Sequence, residues 1–567
     1  MNAPRAFHRA SPLRLVSADV RLIDRISPEF ALKHSVLPMR RNGAVTLVAT
    51  PSAQAFRKAR PRLEAALGPV VAIGAAREDI TAALARTHAA QLAHRATTRT
   101  AEVDSFRAKG RWRALFWLSL TFSLIATALV WAPSVLMTAV IGWVTVTLVA
   151  ITGLRTAGAV VQLRSARQLA RNWRSRRARQ VDPLTLPRVS LLLPLFEEGR
   201  MLATLLERLE RIEYPRDRLE AILILEATDR VTPCALRDVA LPDWVRVLTL
   251  PPGEVQTKPR ALNFALDFAS GDVIGIYDAE DAPAPDQLHL VAEAFAQAPE
   301  NVACLQGVLD FYNARQSWLT RCFTIDYAAW FRLILPGLVR LGFAIPLGGT
   351  TVFFKRDVLE AIGRWDAHNV TEDADLGIRL ARRGYATAFI PSVTMEEATS
   401  DVRSWVKQRS RWIKGYAMTW AVHMRRPVQL YRELGARRFW GFQVLFLGAL
   451  SQFMLAPLLW SFWLLVFGLP HPITGMASQT TIIFMAALFF ATEVMTIAVL
   501  ALAVATPRHR RLIWWVPVMH LYFPLSAIAT WKAASELATR PFFWDKTTHG
   551  QSLPASGVSQ NPRLRPA

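Results

Sequence analysis

Cysteine is scarce in this chain, and the loops that commonly hold nucleotides are missing. Its 567 residues include only three cysteines, Cys234, Cys304 and Cys322, which show neither a metal-binding spacing nor an obvious pairing. Such sparse use of cysteine indicates a reducing compartment. No GxxxxGKS/T or GxGxxG segment occurs, so neither a P-loop nor a dinucleotide site is supported. The first residues lack the apolar core of a signal peptide, and we expect the amino terminus to stay in the cytoplasm.

Acidic residues are outnumbered by basic ones, and apolar residues are abundant. The formal net charge is +23, and 52% of the residues are hydrophobic, which is high for a soluble protein. A charge of this sign would suit nucleic acid, but the arginines gather beside apolar runs, as in the cytoplasmic loops of membrane proteins. We therefore expect a lipid bilayer as the partner, and no nucleic acid.

Two apolar runs predict a pair of transmembrane helices over 114–154. The runs cover 114–132 and 135–154, and each has the roughly 20 residues that cross a bilayer. The basic connector 93–113 precedes them and is predicted to be helical, and the arginine-rich amphipathic linker 155–184 follows. Basic flanks on both sides indicate cytoplasmic ends. The linker either lies along anionic headgroups or is a solvated segment, and both interpretations stay open.

Residues 427–535 are predicted to form transmembrane and interfacial helices, and the sequence leaves the number of membrane crossings open. Apolar runs cover 439–469, 481–505 and 512–533. Three full crossings would place the tail outside, yet the basic residues on both sides of the last run are typical of cytoplasmic loops. Either the first run is a hairpin broken at Pro457, or one of the runs is re-entrant or interfacial.

Residues 1–92 have the pattern of a small soluble α/β domain. The dipeptide Asn42-Gly43 favours a hairpin turn between two strands. The predicted elements are a helix near 27–34, a strand pair over 36–49, a helix near 53–66, a strand at 69–73 and a helix from Arg77.

The stretch 271–290, GDVIGIYDAEDAPAPDQLHL, places three carboxylates after a buried strand. Its run of isoleucine and valine ends at Asp278, Glu280 and Asp281, where prolines prevent further pairing. Carboxylates at the carboxyl end of a strand in an open α/β sheet repel one another unless a cation lies among them. Oxygen ligands beside phosphates suit Mg²⁺ or Mn²⁺. The alternative is an acidic turn without a ligand.

Strand, loop and helix alternate on both sides of this cluster, across the predicted catalytic region 185–426. RVSLLLPLFEEGR and AILILEATD each predict a buried strand that ends near acids, and TKPRALNFAL predicts a helix start with Lys258. This order predicts a doubly wound sheet whose loops share one rim. Gly348 and Gly349 would let the backbone approach a ligand closely, unless they form a simple tight turn.

Two further groups have residue types suited to proton transfer and to ligand binding. Asp373 lies at the start of a predicted helix, where N–H groups can orient a carboxylate that removes a proton; the alternative is a helix cap. Gln408, Arg411 and Trp412 are spaced i, i+3 and i+4 and so share a helix face. An aromatic plane beside hydrogen-bond donors suits a sugar ring, although tryptophan also occurs at bilayer interfaces.

Eight segments, in this order, resemble the family 2 glycosyltransferases, specifically the membrane-embedded, cellulose-synthase-like branch. They are PLFEE, ILEATD, TKPRALN, YDAEDAPAPDQL, LQGVLDFYN, LGGTTVFFKRDVLEAIGRWD, VTEDADLGIRLARRGY and QRSRWIKGY, and the resemblance covers about 185–550. The last segment is absent from most non-processive relatives. The resemblance implies a glycosyltransferase-A type domain inserted between transmembrane helices.

The resemblance also implies a role for each matching residue. The residues implied to bind the nucleotide-sugar are Glu197, Glu226, Asp229, Lys258, Asp278 and Gly349. The metal is implied at Asp278, Asp281 and Glu280, the general base at Asp373, and the acceptor site at Gln408, Arg411 and Trp412. Relatives often have paired acids where this chain has Thr228-Asp229, which puts the role of Glu226 in doubt.

Both ends of the chain carry a further resemblance. The tail 536–567 contains PFFWDKTTHG, which resembles a segment that closes over the nucleotide in relatives; the alternative is a disordered basic tail. The gating residues that this implies are Trp544, Lys546, Thr547 and His549. The stretch VVAIGAAREDITAALAR resembles the amino-terminal domain of type II secretion ATPases. Some members of that family bind cyclic di-GMP through a longer pair of repeats that is not intact here, so we favour a module that docks a regulatory protein.

The sequence thus predicts a multi-pass α/β enzyme of the bacterial inner membrane, with its catalytic domain in the cytoplasm. The expected reaction is inverting, processive transfer from a UDP-sugar to a growing glycan, with Mg²⁺ or Mn²⁺ as the cofactor. One alternative is transfer of a single sugar to a lipid carrier, against which the QRSRW segment argues. The other is a non-catalytic membrane scaffold or envelope receptor component, against which the intact series of acids argues.

Overall fold

The amino-terminal region forms a three-stranded sheet with five helices packed around it. The computed structural model describes residues 18–107, 111–176, 185–475 and 477–543. Strands β1 (Leu37–Asn42) and β2 (Val45–Thr50) pair antiparallel, and β3 (Val70–Gly74) pairs parallel to β2. The helices in this described region are α1 (Val20–Ile26), α2 (Pro28–His34), α3 (Ala53–Leu67), α4 (Arg77–Thr87) and α5 (Ala89–Thr98). Gly43 has φ 61°, which the predicted hairpin turn requires, and the predicted small α/β unit is confirmed.

The connector after α5 is not the continuous helix that we predicted. A short 3-10 turn at Glu102–Asp104 interrupts it. Thr100 Oγ1 donates to the carbonyl oxygen of Trp365 at 2.9 Å, and Ser105 Oγ donates to Asp366 Oδ1 at 2.7 Å. These hydrogen bonds to a distant part of the chain outweigh the weak helical propensity of a polar connector. The connector therefore lies against the catalytic region.

Two long helices follow the connector. They are α6 (Arg111–Trp131) and α7 (Pro133–Arg176). Helix α7 begins at Pro133, where the missing N–H of proline has no intrahelical partner to lose. The break between the two predicted apolar runs thus falls at the proline, as expected.

The catalytic region is built on a mixed eight-stranded sheet. Its strands are β4 (Val189–Leu195), β5 (Leu219–Glu226), β6 (Val245–Leu250), β7 (Val273–Ile276), β8 (Ala282–Pro283), β9 (Val302–Phe311), β10 (Val352–Lys355) and β11 (Ala386–Glu396), in the order β6-β5-β4-β7-β10-β9-β11-β8. Strands β6, β5, β4 and β7 are parallel, whereas β10 is antiparallel to both β7 and β9. The α/β class is confirmed, and the parallel arrangement that we predicted holds for the first four strands of the order.

Helices cover both faces of this sheet. They are α8 (Leu202–Glu210), α9 (Val231–Leu236), α10 (Lys258–Leu266), α11 (Gln287–Gln297), α12 (Trp318–Ala328), α13 (Leu335–Arg340), α14 (Arg356–Ala361), α15 (Glu372–Arg382) and α16 (Val402–His423). A π-helical turn at Ala329–Ile334 joins α12 to α13. Strand β7 is buried over its whole length, which explains its unbroken apolar sequence.

The amino-terminal and catalytic regions share one hydrophobic core. Leu92 and Ala96 of α5 belong to the same buried cluster as Leu262 of α10. Asn263 Nδ2 of α10 donates a hydrogen bond to the carbonyl oxygen of Ala96 at 2.9 Å. Because α10 begins at Lys258, the small α/β unit packs directly behind a predicted site residue.

The carboxyl-terminal helices are bent at two prolines. They are α17 (Pro427–Phe442), a π-helical stretch (Gln443–Gly448), α18 (Ala449–Met454), α19 (Ala456–Val466), α20 (Gln479–Val504), a 3-10 stretch (Arg510–Val518), α21 (Met519–Tyr522) and α22 (Leu525–Thr539). The chain bends by 71° between α18 and α19, beside Pro457, and by 47° between α21 and α22, beside Pro524. The first bend lies where the hairpin interpretation expects it.

Several helices have the length and apolar composition of a membrane span. In the described part of the chain these are Pro133–Ser165, Trp318–Arg340 and Gln479–Val504, and the number rises from three to five if each bent pair is one span. In Trp318–Arg340, 72% of the apolar window is enclosed by the protein itself. The number of crossings stays a prediction. The predicted gating residues Trp544, Lys546, Thr547 and His549 lie outside the described residues.

Candidate active site

A buried lysine lies at the centre of the candidate site. Lys258, the first residue of α10, donates one hydrogen bond to Asp278 Oδ1 at 2.5 Å and another to the carbonyl oxygen of Gly349 at 2.8 Å. Burial alone would lower the pKa of Lys258, but Asp278, Glu372 and Asp373 raise it above its ordinary value. The lysine is therefore a fixed cation at the carboxyl end of β7.

Asp281 is buried beside Asp278, with one oxygen satisfied and the other not. Its Oδ2 accepts hydrogen bonds from the backbone N–H of Asp278 at 2.7 Å and from the hydroxyl of Thr350. Its Oδ1 is buried and has no hydrogen-bond partner among the described residues. Burial, Asp278 and Glu280 raise the pKa of Asp281 well above its ordinary value. A cation beside Oδ1 would relieve this unfavourable arrangement.

These acids fit a divalent ion that is held jointly with a substrate. In the described ranges no three histidine, cysteine, aspartate or glutamate side chains form a cage for a metal ion. Mg²⁺ commonly binds one or two carboxylates together with substrate phosphates and water, so it needs no such cage. The unpartnered oxygen of Asp281 and the cavity-facing Asp278 meet this requirement, and the predicted Glu280 lines the same cavity.

Glu226, the last residue of β5, is paired with an arginine. Arg260 Nη1 lies 3.3 Å from Glu226 Oε2, and the arginine side chain is fully buried. Burial raises the pKa of Glu226 to about 7, although Arg260 opposes the shift. Glu226 and the loop 253–259 both line the cavity. Glu226 is therefore accessible from the cavity, where it could make the contact with a nucleoside that we predicted.

Asp229 and Glu197 lie away from the cavity lining. Asp229 Oδ2 accepts hydrogen bonds from the backbone N–H of Glu197 at 2.7 Å and from Thr232 Oγ1 at 2.6 Å. Burial alone would raise the pKa of Asp229, but these hydrogen bonds lower it. Glu197 is exposed and has φ 54°, while the next residue, Glu198, is buried and lines the cavity. In this structure Asp229 holds the loop in shape, and Glu198 takes the position that we assigned to Glu197.

Asp373 lies in the first turn of α15, opposite Gly349. A Cβ atom added to Gly349 would lie 3.1 Å from Asp373 Oδ2, so a side chain there would crowd the carboxylate. Burial raises the pKa of Asp373 to about 6, although the backbone N–H of Ala374 and the charge of Lys258 lower it. Burial and Asp373 raise the pKa of Glu372 to about 8. Near neutral pH the two carboxyls therefore hold one proton, with Asp373 ionised.

Helix α15 is fixed by a buried chain of hydrogen bonds. Asp375 accepts from Arg379 Nε at 2.7 Å and from His423 Nε2 at 3.1 Å. His423 Nδ1 lies 3.0 Å from Arg382 Nη1, which can only donate, so the histidine carries its proton on Nε2. Arg382 also donates to Asp104 Oδ1 of the connector at 2.7 Å. The helix that carries Asp373 is thus fixed to α16 and to the connector.

The predicted acceptor residues lie on one face of α16 and all line the cavity. They are Gln408, Arg411 and Trp412. Burial lowers the pKa of Arg411, while Glu372 and Asp278 raise it, which places the guanidinium beside the acids. Thr399 Oγ1 donates to Gln408 Oε1 at 3.3 Å.

Three rings form what we call the aromatic floor: Phe323, Tyr327 and Trp412. The centroid of Trp412 lies 6.2 Å from that of Tyr327 and 6.0 Å from that of Phe323. The guanidinium of Arg409 lies 4.8 Å from the Trp412 centroid and pairs with Asp326. The ring of Trp412 is therefore held rigidly from one side.

One cavity of about 940 Å³ joins these groups to the apolar helices. Its polar end contains Lys258, Asp278 and Asp373, and the aromatic residues Tyr327 and Trp412 follow. Helix residues that line its other end are Leu459, Trp460 and Trp463 of α19 and Phe489 and Glu493 of α20.

Family comparisons agree with both resemblances. Residues 273–530 match the model described as glycosyl transferase family group 2. Over these residues the chain is similar to the family 2 glycosyltransferases, as the resemblance implied. Residues 12–94 match the MshEN domain model, over the stretch where the sequence resembles the amino-terminal domain of type II secretion ATPases. The family 2 match includes Asp278, Asp373 and Trp412.

Curated relatives are similar to part of this chain. The protein named "Probable glycosyltransferase YdaM" of Bacillus subtilis is 29% identical over 233 residues, which are 41% of this chain and 55% of that protein. A beta-monoglucosyldiacylglycerol synthase of Trichormus variabilis is 28% identical over 261 residues, 45% of this chain and 54% of the relative. The cellulose synthase 1 catalytic subunit (UDP-forming) of Komagataeibacter xylinus is 24% identical over 296 residues, which are 48% of this chain and 36% of the relative. The chain spans about half the length of the first two relatives and less of the third.

A solved structure also resembles this chain. The mannosyltransferase PcManGT from Pyrobaculum calidifontis, in complex with GDP-Man and Mn²⁺, has a TM-score of 0.40 and 22% sequence identity. The likeness covers 70% of this chain and 99% of that one.

Some residues of this candidate site could not be found by sequence reasoning. Arg260 lies in the TKPRALN segment that we singled out, but nothing in the segment shows that it pairs with Glu226. Glu396 lines the cavity from the end of β11, between the segments VTEDADLGIRLARRGY and QRSRWIKGY and within neither of them. Only the register of β11 beside β9 and β8 brings Glu396 to the acids.

Proposed function

We propose that this chain transfers a sugar, with inversion, from a UDP-sugar to a hydroxyl of a growing polysaccharide at the inner membrane. The observation that carries the proposal is the single cavity that joins Asp278 and Asp373 to the aromatic floor and to α19 and α20. A transferase for small soluble acceptors would not need apolar helices on the wall of its site. A growing glycan that leaves along the helices would use that wall.

Positive charge beside the leaving diphosphate lowers the barrier for donor cleavage. Lys258 is held by Asp278 and by the carbonyl oxygen of Gly349, so its ammonium group is fixed before the substrate arrives. A divalent ion bound at Asp278 and Asp281 would stabilise the charge that develops on the diphosphate. Glu226 and the loop 253–259 would enclose the nucleoside.

Asp373 would remove the proton from the attacking hydroxyl. It is ionised at neutral pH, it lies beside Lys258, and the absence of a side chain at Gly349 leaves room for a sugar. One base and one direct displacement invert the anomeric carbon. Because the pKa of Glu372 is raised to about 8, Glu372 would be protonated and would add no second negative charge beside Asp373.

The acceptor sugar would lie on Trp412, with Arg411 and Gln408 at its edge. A tryptophan ring that is already fixed by Arg409 loses little freedom when a sugar stacks on it. Repeated transfer requires that the product stay bound between steps, and the cavity wall of α19 and α20 supplies the next binding surface.

A lipid acceptor is the second candidate. A beta-monoglucosyldiacylglycerol synthase is among the relatives, and an apolar cavity wall also suits an acyl chain. The same wall therefore serves both candidates, and the nature of the product decides between them.

The MshEN region is proposed to regulate transfer rather than to take part in it. It contributes no residue to the cavity lining within the described ranges, yet it packs on α10 behind Lys258. The ligand of this region is proposed to be a regulatory protein or cyclic di-GMP.

Detergent-purified protein incubated with radiolabelled UDP-glucose, UDP-galactose, UDP-N-acetylglucosamine and GDP-mannose tests the proposal. We expect release of UDP from one of the UDP-sugars and a labelled product that stays at the origin of a gel or chromatogram. A product that partitions into chloroform would replace the polysaccharide with a lipid acceptor. Absence of nucleotide release with every donor would contradict the enzymatic function itself.

A further inference from the structure

Glu396 is a half-buried acid that the mechanism above does not use. It is the last residue of β11, and its position is set by pairing with Phe311 of β9 and by a hydrogen bond from the backbone N–H of Tyr312 to its carbonyl oxygen at 3.0 Å. The preceding residue, Met395, pairs with Ala282 of β8, directly after Asp281. The sheet therefore places Glu396 next to the acids at the end of β7.

The side chain of Glu396 lines the cavity between these acids and the aromatic floor. Asp281, Glu280 and Asp278 are its electrostatic neighbours on one side. Tyr327 of the aromatic floor also interacts electrostatically with Glu396. Glu396 thus lies between the position of the donor phosphates and the position of the acceptor ring.

One oxygen of Glu396 has no partner. Its Oε1 is buried and accepts no hydrogen bond from the described part of the chain. Leaving a buried polar oxygen unpaired is costly, and a native structure usually reserves such an atom for a ligand or water. The nearby cations are already engaged, because Lys258 contacts Asp278 and Arg409 contacts Asp326.

We propose that Glu396 is an acceptor-positioning residue, whose buried Oε1 accepts a hydrogen bond from a hydroxyl of the acceptor sugar that lies on Trp412. This inference rests on the proposed glycosyl transfer and names a residue that selects a polyol acceptor over water. A sugar hydroxyl suits this place because a polyol supplies several hydrogen-bond donors at once. The bond would turn the attacking hydroxyl toward Asp373.

Three variants test the inference. Glu396→Met keeps the side-chain volume but removes the acceptor oxygen, Glu396→Gln keeps an amide oxygen at the same place, and Glu397→Met is the matched control on the neighbouring residue, which does not line the cavity. Glu396→Ala is the substitute if Glu396→Met does not fold, as judged by its melting temperature.

The measurement is the fraction of released sugar that reaches the product rather than water, with the donor that supports UDP release in the wild type. We expect Glu396→Met to lower this fraction by about 10-fold. Donor binding and slow hydrolysis should stay at the wild-type level, since neither needs an acceptor. Glu396→Gln should restore most of the transfer, and Glu397→Met should behave as the wild type.

Two kinds of result would overturn the inference. If Glu396→Met transfers like the wild type, or if hydrolysis and donor binding fall together with transfer, Glu396 does not act on the acceptor. If the wild type releases no nucleotide from any donor, the proposed function fails first and this inference falls with it. The two failures are distinguishable, because only the second affects the wild type.

Discussion

Lys258, Asp278, Glu372 and Asp373 line one cavity, and Asp281 is buried next to Asp278. Charged groups of both signs are buried together there, so each one depends on the others. The lysine offsets part of the negative charge, and Oδ1 of Asp281 has no hydrogen-bond partner in the described part of the chain.

Asp278→Asn tests the role of this charge. The variant keeps the shape of the side chain but loses the negative charge beside the diphosphate position. We expect UDP release to fall by about 10²-fold or more, and EDTA to have the same effect on the wild type, reversibly. Asp286→Asn, an exposed aspartate on the same loop, is the matched control and should stay active. Full activity of Asp278→Asn would remove Asp278 from the catalytic site.

Residue types and spacing predicted one part of the site well and another poorly. Lys258, Asp278, Asp373 and Trp412 come from different segments, and the structure brings them to one cavity, although their roles stay predictions. The sequence could not show that Glu197 and Asp229 lie away from the cavity lining. The positive φ of Glu197 and the hydrogen bond from its backbone N–H to Asp229 set the shape of this loop, and neither is visible in the sequence. Adjacent acids such as Glu197 and Glu198 cannot be told apart by a motif.

At the scale of elements, the connector differs most from its prediction. Its composition is basic and polar, which favours a solvated helix, but Thr100, Asp104 and Ser105 are buried against the catalytic region. Contacts between residues about 260 positions apart cannot be seen in local periodicity. By contrast, β7 and the hairpin of β1 and β2 depend on local patterns, and they were predictable.

Asp104→Ala tests the contact between the connector and α15. Asp104 accepts a hydrogen bond from Arg382, which also contacts His423 and through it Asp375. Removing Asp104 leaves Arg382 with its ion pair to Glu433 but deletes a hydrogen bond between charged groups, at a cost of about 2 kcal/mol. We therefore expect a lower melting temperature and slower UDP release. Glu102→Ala, on the exposed side of the same turn, should change neither, and an unchanged Asp104→Ala protein would show that the connector does not support α15.

At the scale of the whole molecule, the amino-terminal region is part of the enzyme rather than a separate attachment. The sequence predicts residues 1–92 as an independent unit, because two apolar runs separate them from the catalytic region. The structure packs α5 on α10 and merges both regions into one core. Events in the MshEN region can thus reach Lys258 through a single helix. Apolar helices such as Gln479–Val504 differ from this contact between regions, because the length and composition of a local apolar run were enough to predict them.

The central claim is that Asp373 acts as the base on an acceptor bound beside a UDP-sugar. The most direct measurement compares donor binding and UDP release between the wild type and Asp373→Asn across pH 4.5 to 8. Since the pKa of Asp373 is about 6 and the ionised form is active, wild-type kcat/KM should fall as pH drops below about 6. Asp373→Asn should bind the donor normally but release UDP about 10²-fold more slowly, without this acidic limb. A variant that turns over like the wild type, or that loses donor binding instead, would contradict the account.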